Sequence, residues 1–281
     1  MKDKSATSII VTTYNWPEAL RLTLGSVLSQ SVCPVEVIIA DDGSGPETAC
    51  VINEVLNVAG PRWCHVWHED KGVRQSRIKN LAVRYSNQPY LIFIDQDVVI
   101  HPDFIADHVS EAQEGCFLQG KRALLPKYYT DKIISEGLFR TPGFFQKGLG
   151  NRKNILRMPL IGKLFSGPRR FHTSLRGCNL SMFKSDFYAV DGFDEIFDNS
   201  WGREDSDICY RLFHSGLSIK TLWFSALQYH LKHSAITKWD KERLDNELSR
   251  TLEEKRVKAK KGFSKLSPEG KVMAASNDFF L

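Results

Sequence analysis

Two acidic clusters stand out in a chain of 281 residues whose formal net charge is +5. The first is Asp95-Gln96-Asp97, which closes the apolar run Tyr90-Leu91-Ile92-Phe93-Ile94. Carboxylates two apart at the end of a buried strand share one side if the strand persists, and hard oxygen ligands so placed suit Mn²⁺ or Mg²⁺ held against substrate phosphates. The second lies between positions 191 and 207, where seven carboxylates crowd around Trp201-Gly202-Arg203-Glu204-Asp205-Ser206-Asp207. Like charges repel, so a fold keeps them together where a cation neutralises them, where one carboxyl keeps its proton, or where water screens them.

The elements that must carry these groups are legible in outline. Short β-branched strands are expected at 8–13, 35–40, 64–67 and 90–94, with helices at 16–28, 48–58 and 73–85 between them. Alternation of strand and helix over the first hundred residues predicts a parallel α/β sheet with crossover helices. Ligands of such sheets bind at the carboxyl ends of the strands, which is where Asp95 and Asp97 fall. Further on, a helix is expected at 104–112, strands at 116–120 and 180–183, a helix at 204–214, one or two strands at 218–229, and a helix at 238–261. Residues 130–171 are rich in Gly, Pro, Lys and Arg with little periodicity, which predicts an acceptor-binding insert or lid. Residues beyond 267 read as frayed.

Composition narrows the function classes. Hydrophobic residues make up 42%, enough for a sizeable core. No apolar stretch reaches the ~20 residues of a membrane span and Met1-Lys2-Asp3-Lys4-Ser5 opens no signal segment, so a cytoplasmic protein is expected. The six cysteines are scattered without a C-x-x-C pair, which predicts free thiols rather than zinc or disulfides. Basic residues concentrate at 152–170 and 238–265. No zinc finger, helix-turn-helix or RNP-like string accompanies them, so nucleic acid is not expected; anionic headgroups or phosphorylated substrates fit better. The second basic stretch is the expected peripheral membrane contact.

Taken in order, Val11-Thr12-Thr13-Tyr14-Asn15, Asp41-Asp42-Gly43-Ser44, Gly72, Arg77, Asn80 and Asp95-Gln96-Asp97 resemble the successive motifs of family 2 glycosyltransferases with a GT-A fold. The later strings Gly192-Phe193-Asp194-Glu195, Trp201-Gly202-Arg203-Glu204-Asp205 and Tyr210-Arg211-Leu212 are similar to the C-terminal segment of galactosyltransferase-type enzymes. The ordered set covers roughly residues 8 to 235. It implies a GT-A domain over 1–235, with a nucleotide-binding half at 1–100 and an acceptor-binding half at 101–235, followed by a basic helical extension at 236–281.

The resemblance also implies roles. The activity is inverting transfer of a hexose or N-acetylhexosamine from a UDP-sugar to a saccharide or lipid-linked saccharide acceptor, in bacterial surface polysaccharide synthesis. Tyr14 stacks on the base while Thr12 or Thr13 hydrogen-bonds it; Asp41 or Asp42 takes the base N–H or the ribose; Arg77 and Lys79 meet the diphosphate. Asp97 binds Mn²⁺ or Mg²⁺, with Asp95 nearer the ribose or the ion. His230 or His233 completes the shell, the GalNAc-transferase pattern favouring the first and the galactosyltransferase spacing leaving the second open. Asp205 is the base and Glu204 its support, with Trp201, Gly202 and Arg203 forming the acceptor wall. Arg203 stands where the pattern usually has Gly. The rivals are a metal-dependent nucleotidyltransferase or sugar-nucleotide hydrolase, and a non-catalytic binding module; Thr12-Thr13-Tyr14-Asn15 stands where a nucleotidyltransferase carries a Gly- and Arg-rich loop.

Overall fold

A computed structural model of the protein describes residues 6–57, 60–171, 175–234 and 239–280. Strands β1 (Thr7–Thr13), β2 (Glu36–Asp41), β3 (Arg62–Trp67) and β4 (Tyr90–Asp95) run parallel, joined by α1 (Pro17–Leu28), α2 (Pro46–Leu56) and α3 (Gln75–Tyr85). Proline opens α1 and α2 where its missing N–H costs no hydrogen bond. A short hairpin-like turn after β4 leads to β5 (Val98–Ile100), then α4 (Phe104–Glu111), β6 (Cys116–Gln119), β7 (Arg122–Leu124) and α5 (Lys127–Glu136). The second half adds α6 (Pro159–Phe165), β8 (Asn179–Phe183), α7 (Lys184–Ala189), α8 (Glu204–His214), β9 (Ser218–Thr221), β10 (Gln228–His230), α9 (Lys241–Glu253) and β11 (Lys271–Ala275).

Among the described residues the main sheet has the order β11-β3-β2-β1-β4-β8-β6-β9, and a small sheet has the order β5-β10-β7. Side chains alternate across the main sheet and are apolar on both faces. Ile9, Val11, Ile39 and Ile92 pack with α1, α2 and α4, whereas Ile10, Ile38 and Phe93 pack with α3, α7 and α8. Two covered faces are why the central strands read as continuous hydrophobic runs. β8 runs antiparallel to both β4 and β6, which makes the sheet mixed.

Three expectations change. β4 ends at Asp95, so Asp97 sits in the following turn and not on the strand. Residues 130–171 hold ordered elements, pinned by bridges from Leu124 to Gly150 and from Arg169 to Ile219. The C-terminal segment is more than a helical extension: after α9 packs on α8, β11 pairs antiparallel with β3 as the edge of the main sheet, and Phe279 is buried. It covers an open sheet edge, which explains why residues 267–280 are not frayed. Val58, Lys238 and the expected 235/236 boundary lie outside the described residues. No helix among the described residues is long and apolar enough to cross a membrane.

Candidate active site

The turn after β4 brings Asp97 to the small sheet. β10 pairs with β5 so that His230 lies opposite Val98, and the Leu231 N–H donates to the Asp97 carbonyl at 2.9 Å. That register leaves His230 Nε2 and His233 Nε2 each 3.2 Å from Asp97 Oδ2. One ligand atom from each of the three lies within 4.8 Å of the others. The second carboxylate oxygen, Asp97 Oδ1, is buried with no hydrogen-bond partner among the described residues. Burial pushes the Asp97 carboxyl up, but the His233 hydrogen bond and the fields of both histidines and Arg122 outweigh it and hold the group below its ordinary value. Burial pushes His230 down to about 4, favouring the neutral imidazole that a metal needs. A carboxylate with one oxygen orphaned and the other beside two imidazoles is a donor set that fits Mn²⁺.

A cavity of about 540 Å³ is lined by this trio together with Thr12, Thr13, Tyr14, Asp42, Asp95 and Trp201. Gln96 fixes the loop after β1: its Oε1 accepts from Thr13 Oγ1 at 2.5 Å and from the Tyr14 N–H at 3.0 Å, and its Nε2 donates to the Tyr14 carbonyl at 2.7 Å. Thr12 Oγ1 is buried at the cavity without a partner among the described residues, and the Tyr14 hydroxyl donates to Asp70 at 2.9 Å. Asp42 pairs with His68 at 2.7 Å and accepts from the Arg74 N–H. Asp41 is outside the cavity lining, with its oxygens taken by His65 at 2.8 Å and the Ser44 N–H at 2.8 Å. Arg77 is also elsewhere. It is buried, donates to the Glu269 carbonyl at 2.6 Å and lies 3.6 Å from Glu195, so it anchors the C-terminal segment to α3 and does not face a diphosphate.

The acidic loop before α8 divides into groups with structural partners and the pair Glu204 and Asp205, which lies outside the cavity lining, as do Gly202 and Arg203. Asp194 accepts from the Lys260 and Lys261 N–H groups, and Asp198 accepts from the Ser76 and Arg77 N–H groups at the start of α3. Asp207 pairs with the fully buried Arg211 at 2.7 Å. Glu204 and Asp205 instead gather around Lys79, whose Nζ is 3.2 Å from Glu204 Oε1. Burial pulls Lys79 down, but Glu204, Asp95 and Asp205 outweigh it and leave its pKa raised. Asp205 accepts from the Gly177 N–H at 2.8 Å and the Ser206 N–H at 2.6 Å. Burial and the neighbouring Glu204 raise it to about 6, with Lys79 opposing. Asp95 is raised to about 7, by burial first and then, against the opposing Lys79, by Asp97 and Glu204.

These fields put the two clusters in one neighbourhood. The buried thiol of Cys178, raised to about 12 chiefly by burial, feels Asp95, Asp97 and Asp205 together. Gly202 and Arg203 both have left-handed backbones, with φ of 94° and 77°. The Arg203 side chain turns to α9, where Nε donates to Asp245 at 2.7 Å. Sequence reasoning missed Trp16, Gln75 and Arg122, all in the cavity lining. Arg122 carries no motif signal, since it follows a strand end in a stretch with no periodic pattern.

Residues 8–157 match the family described as glycosyl transferase family 2, and residues 163–234 match the one described as the N-terminal domain of galactosyltransferase. The chain is 28% identical over 229 residues to validoxylamine A glucosyltransferase of Streptomyces hygroscopicus subsp. limoneus, covering 75% of this chain and 48% of that one. It is 29% identical over 233 residues to hyaluronan synthase of Pasteurella multocida, covering 76% of this chain and 23% of that one. The chain thus spans about half or less of these curated relatives. Among solved structures, S. aureus TarS is similar with a TM-score of 0.55 at 17% identity, covering 80% of this chain and 60% of that one. The mannosyltransferase PcManGT from Pyrobaculum calidifontis, in complex with GDP-Man and Mn²⁺, has a TM-score of 0.55 at 15% identity, covering 82% of this chain and 59% of that one. The fold is of the GT-A type, and the chain belongs to the family 2 glycosyltransferases.

Proposed function

We propose that the protein transfers a hexose or N-acetylhexosamine from a UDP-sugar to a saccharide hydroxyl with inversion, in bacterial surface polysaccharide synthesis in the cytoplasm. The observation that carries this reading is the Asp97 carboxylate in the cavity lining, with one oxygen orphaned among the described residues and the other beside His230 and His233, close enough to the second acidic cluster that Glu204 acts on Asp95. Related chains named hyaluronan synthase, chondroitin synthase and a UDP-Glc-dependent glucosyltransferase support the substrate class.

Asp97, His230 and His233 hold the divalent ion, which supplies positive charge to the donor diphosphate when bound. Thr12, Thr13, Tyr14 and Asp42 receive the uridine, and Asp95, in the same lining, would meet the ribose or the ion. Asp205 takes the proton of the acceptor hydroxyl as that oxygen bonds to the anomeric carbon, while the bond from that carbon to the diphosphate oxygen breaks and its electron pair leaves with UDP. The Gly177 and Ser206 N–H groups orient Asp205, and Lys79 balances the charge of Glu204 behind it. Trp201 offers an apolar face to the acceptor ring. A panel of UDP-sugars with saccharide acceptors, each with and without Mn²⁺, tests the reading: Mn²⁺-dependent transfer is expected. Release of free sugar without transfer, or no turnover at all, refutes it.

A further inference from the structure

A smaller cavity of about 190 Å³ shares Arg122 with the main one. Lys121, Lys153, Arg176 and Trp223 complete its walls, and Asn154 holds the Arg122 carbonyl at 2.8 Å. The Lys121 and Lys153 ammonium groups stand 4.9 and 5.2 Å from the Trp223 ring centroid. Burial, Arg176 and Lys153 together hold Lys121 below its ordinary pKa. Among the described residues no carboxylate lines this pocket, and residues 137–185 carry ten Lys or Arg with no Asp or Glu. Arg122 has Asp95 and Asp97 near it on the main-cavity side, but the four cations outnumber those acids and repel one another, and an anion with several acceptor oxygens relieves the repulsion through charge-assisted hydrogen bonds. The pocket lies on the acceptor side of the site, because Arg176 immediately precedes Gly177, whose N–H donates to Asp205. We propose that this pocket binds the phosphate of a phosphorylated acceptor, a sugar joined through its anomeric oxygen to phosphate or diphosphate. The acceptor assignment rests on Asp205 being the base; the anion site itself does not.

Titration of the full chain with inorganic phosphate, alone and with saturating UDP and Mn²⁺, tests the site. Saturable binding is expected in both states. The variant K153Q/R176Q changes two exposed side chains and is expected to weaken that binding about tenfold or more at unchanged melting temperature. A hexose 1-phosphate is expected to bind more tightly than the methyl hexoside, with the difference lost in the variant. Unsaturable binding, displacement of phosphate by UDP and Mn²⁺, or an indifferent variant overturns the site. Equal affinity for the two hexosides overturns the acceptor assignment. If UDP fails to bind while phosphate binding still depends on Lys153 and Arg176, the transferase reading and the acceptor assignment fall and the anion site stands.

A separate observation concerns α6. Its inward face is Gly162, packed so closely that a Cβ there would lie 1.9 Å from the Trp223 carbonyl oxygen, and the Met158 N–H donates to the Phe224 carbonyl at 2.9 Å. Its outward face is apolar: Leu160 and Leu164 are each 80% exposed and Phe165 is 56% exposed, followed by the exposed Arg169 and Arg170. A pinned helix that presents leucine and phenylalanine to water beside arginines has the composition of an interfacial element. Two copies meeting through this face would set cations against cations, so an anionic surface is the complementary occupant. We infer that α6 lies at the headgroup–acyl boundary of a membrane containing anionic lipid, which moves the expected contact away from residues 238–265. The exposed side of α9 there mixes Glu242 and Glu253 with its lysines and arginines.

Co-sedimentation of the full chain with phosphatidylcholine vesicles, with and without phosphatidylglycerol, decides this. Binding to the anionic vesicles is expected, reduced at least tenfold by L160Q/L164Q and little changed by K255Q/K258Q. No sedimentation, an indifferent L160Q/L164Q, or loss of binding with K255Q/K258Q overturns it. So does a dimer in sedimentation velocity that L160Q/L164Q dissolves, which would make the face an interface between copies.

Discussion

Lys79 on α3 reaches Glu204 at the start of α8 with 3.2 Å between Nζ and Oε1, and Asp95 and Asp205 also act on the same ammonium group. A single buried cation thus joins the strand that carries the metal-type acids to the loop that carries the proposed base. Removing it would leave three acids facing one another in a poorly solvated space. That relationship makes the chemistry of the two clusters interdependent.

Asp97→Asn keeps the side-chain volume and removes the anionic ligand. Mn²⁺-dependent transfer is expected to fall on the order of a hundredfold or more. Isothermal titration with Mn²⁺ checks the cause, because the affinity should fall with the rate; unchanged Mn²⁺ affinity would remove Asp97 from the ion's shell.

For Asp205→Asn the expected loss in kcat is on the order of 10²–10⁴, with the melting temperature held or slightly raised, since a carboxylate disfavoured by burial is neutralised. The wild-type rate should rise with pH through about 6, because the base works only once its proton is gone and Asp205 is raised to that value. A kcat profile flat between pH 5 and 7 would speak against its role.

Arg203 adopts a φ of 77° that glycine reaches without strain, and its guanidinium holds Asp245 at 2.7 Å. Arg203→Gly therefore relieves about 1–3 kcal/mol of backbone strain but gives up a half-exposed ion pair worth about 0–1 kcal/mol and adds unfolded-chain entropy. Stability by chemical denaturation is expected to change by less than about 2 kcal/mol.

Asp207 and Arg211 form a buried pair on α8, with the Thr251 hydroxyl of α9 donating to Asp207 at 2.7 Å. Asp207→Ala leaves a buried guanidinium without its carboxylate, at an expected cost of about 3–5 kcal/mol. Urea denaturation measures it directly.

Truncation after residue 266 removes β11 and Phe279. Loss of that buried ring alone is expected to cost about 3–5 kcal/mol, and the bare edge of β3 should promote aggregation. Light scattering on heating distinguishes this from a tail that contributes nothing.

Much of this was present in local pattern. The runs at 8–13 and 90–94 are apolar on both faces because both faces of the sheet are covered, and that periodicity needs no knowledge of partners. Pro17 and Pro46 mark helix starts by their own chemistry. Other features depend on what a residue meets. Arg77 was expected at a diphosphate and anchors the tail, because the direction of a helical side chain is set by what packs on that face. Asp41 was a candidate for the nucleotide, yet His65 on the next strand takes it. The tail's strand was illegible because Lys271–Ala275 gains its pairing only from β3, some two hundred residues earlier.

The order of residues along the chain by itself determined the layered α/β architecture and the identity of the two acidic clusters, since strand runs, helix starts and clustered carboxylates are written in neighbouring positions. Which acids face the cavity, which histidines reach Asp97, and that Arg122 joins them were decided only by tertiary structure. The reason is physical: the β5–β10 register and the burial around Lys79 depend on contacts between segments more than a hundred residues apart, and no local pattern encodes such distances.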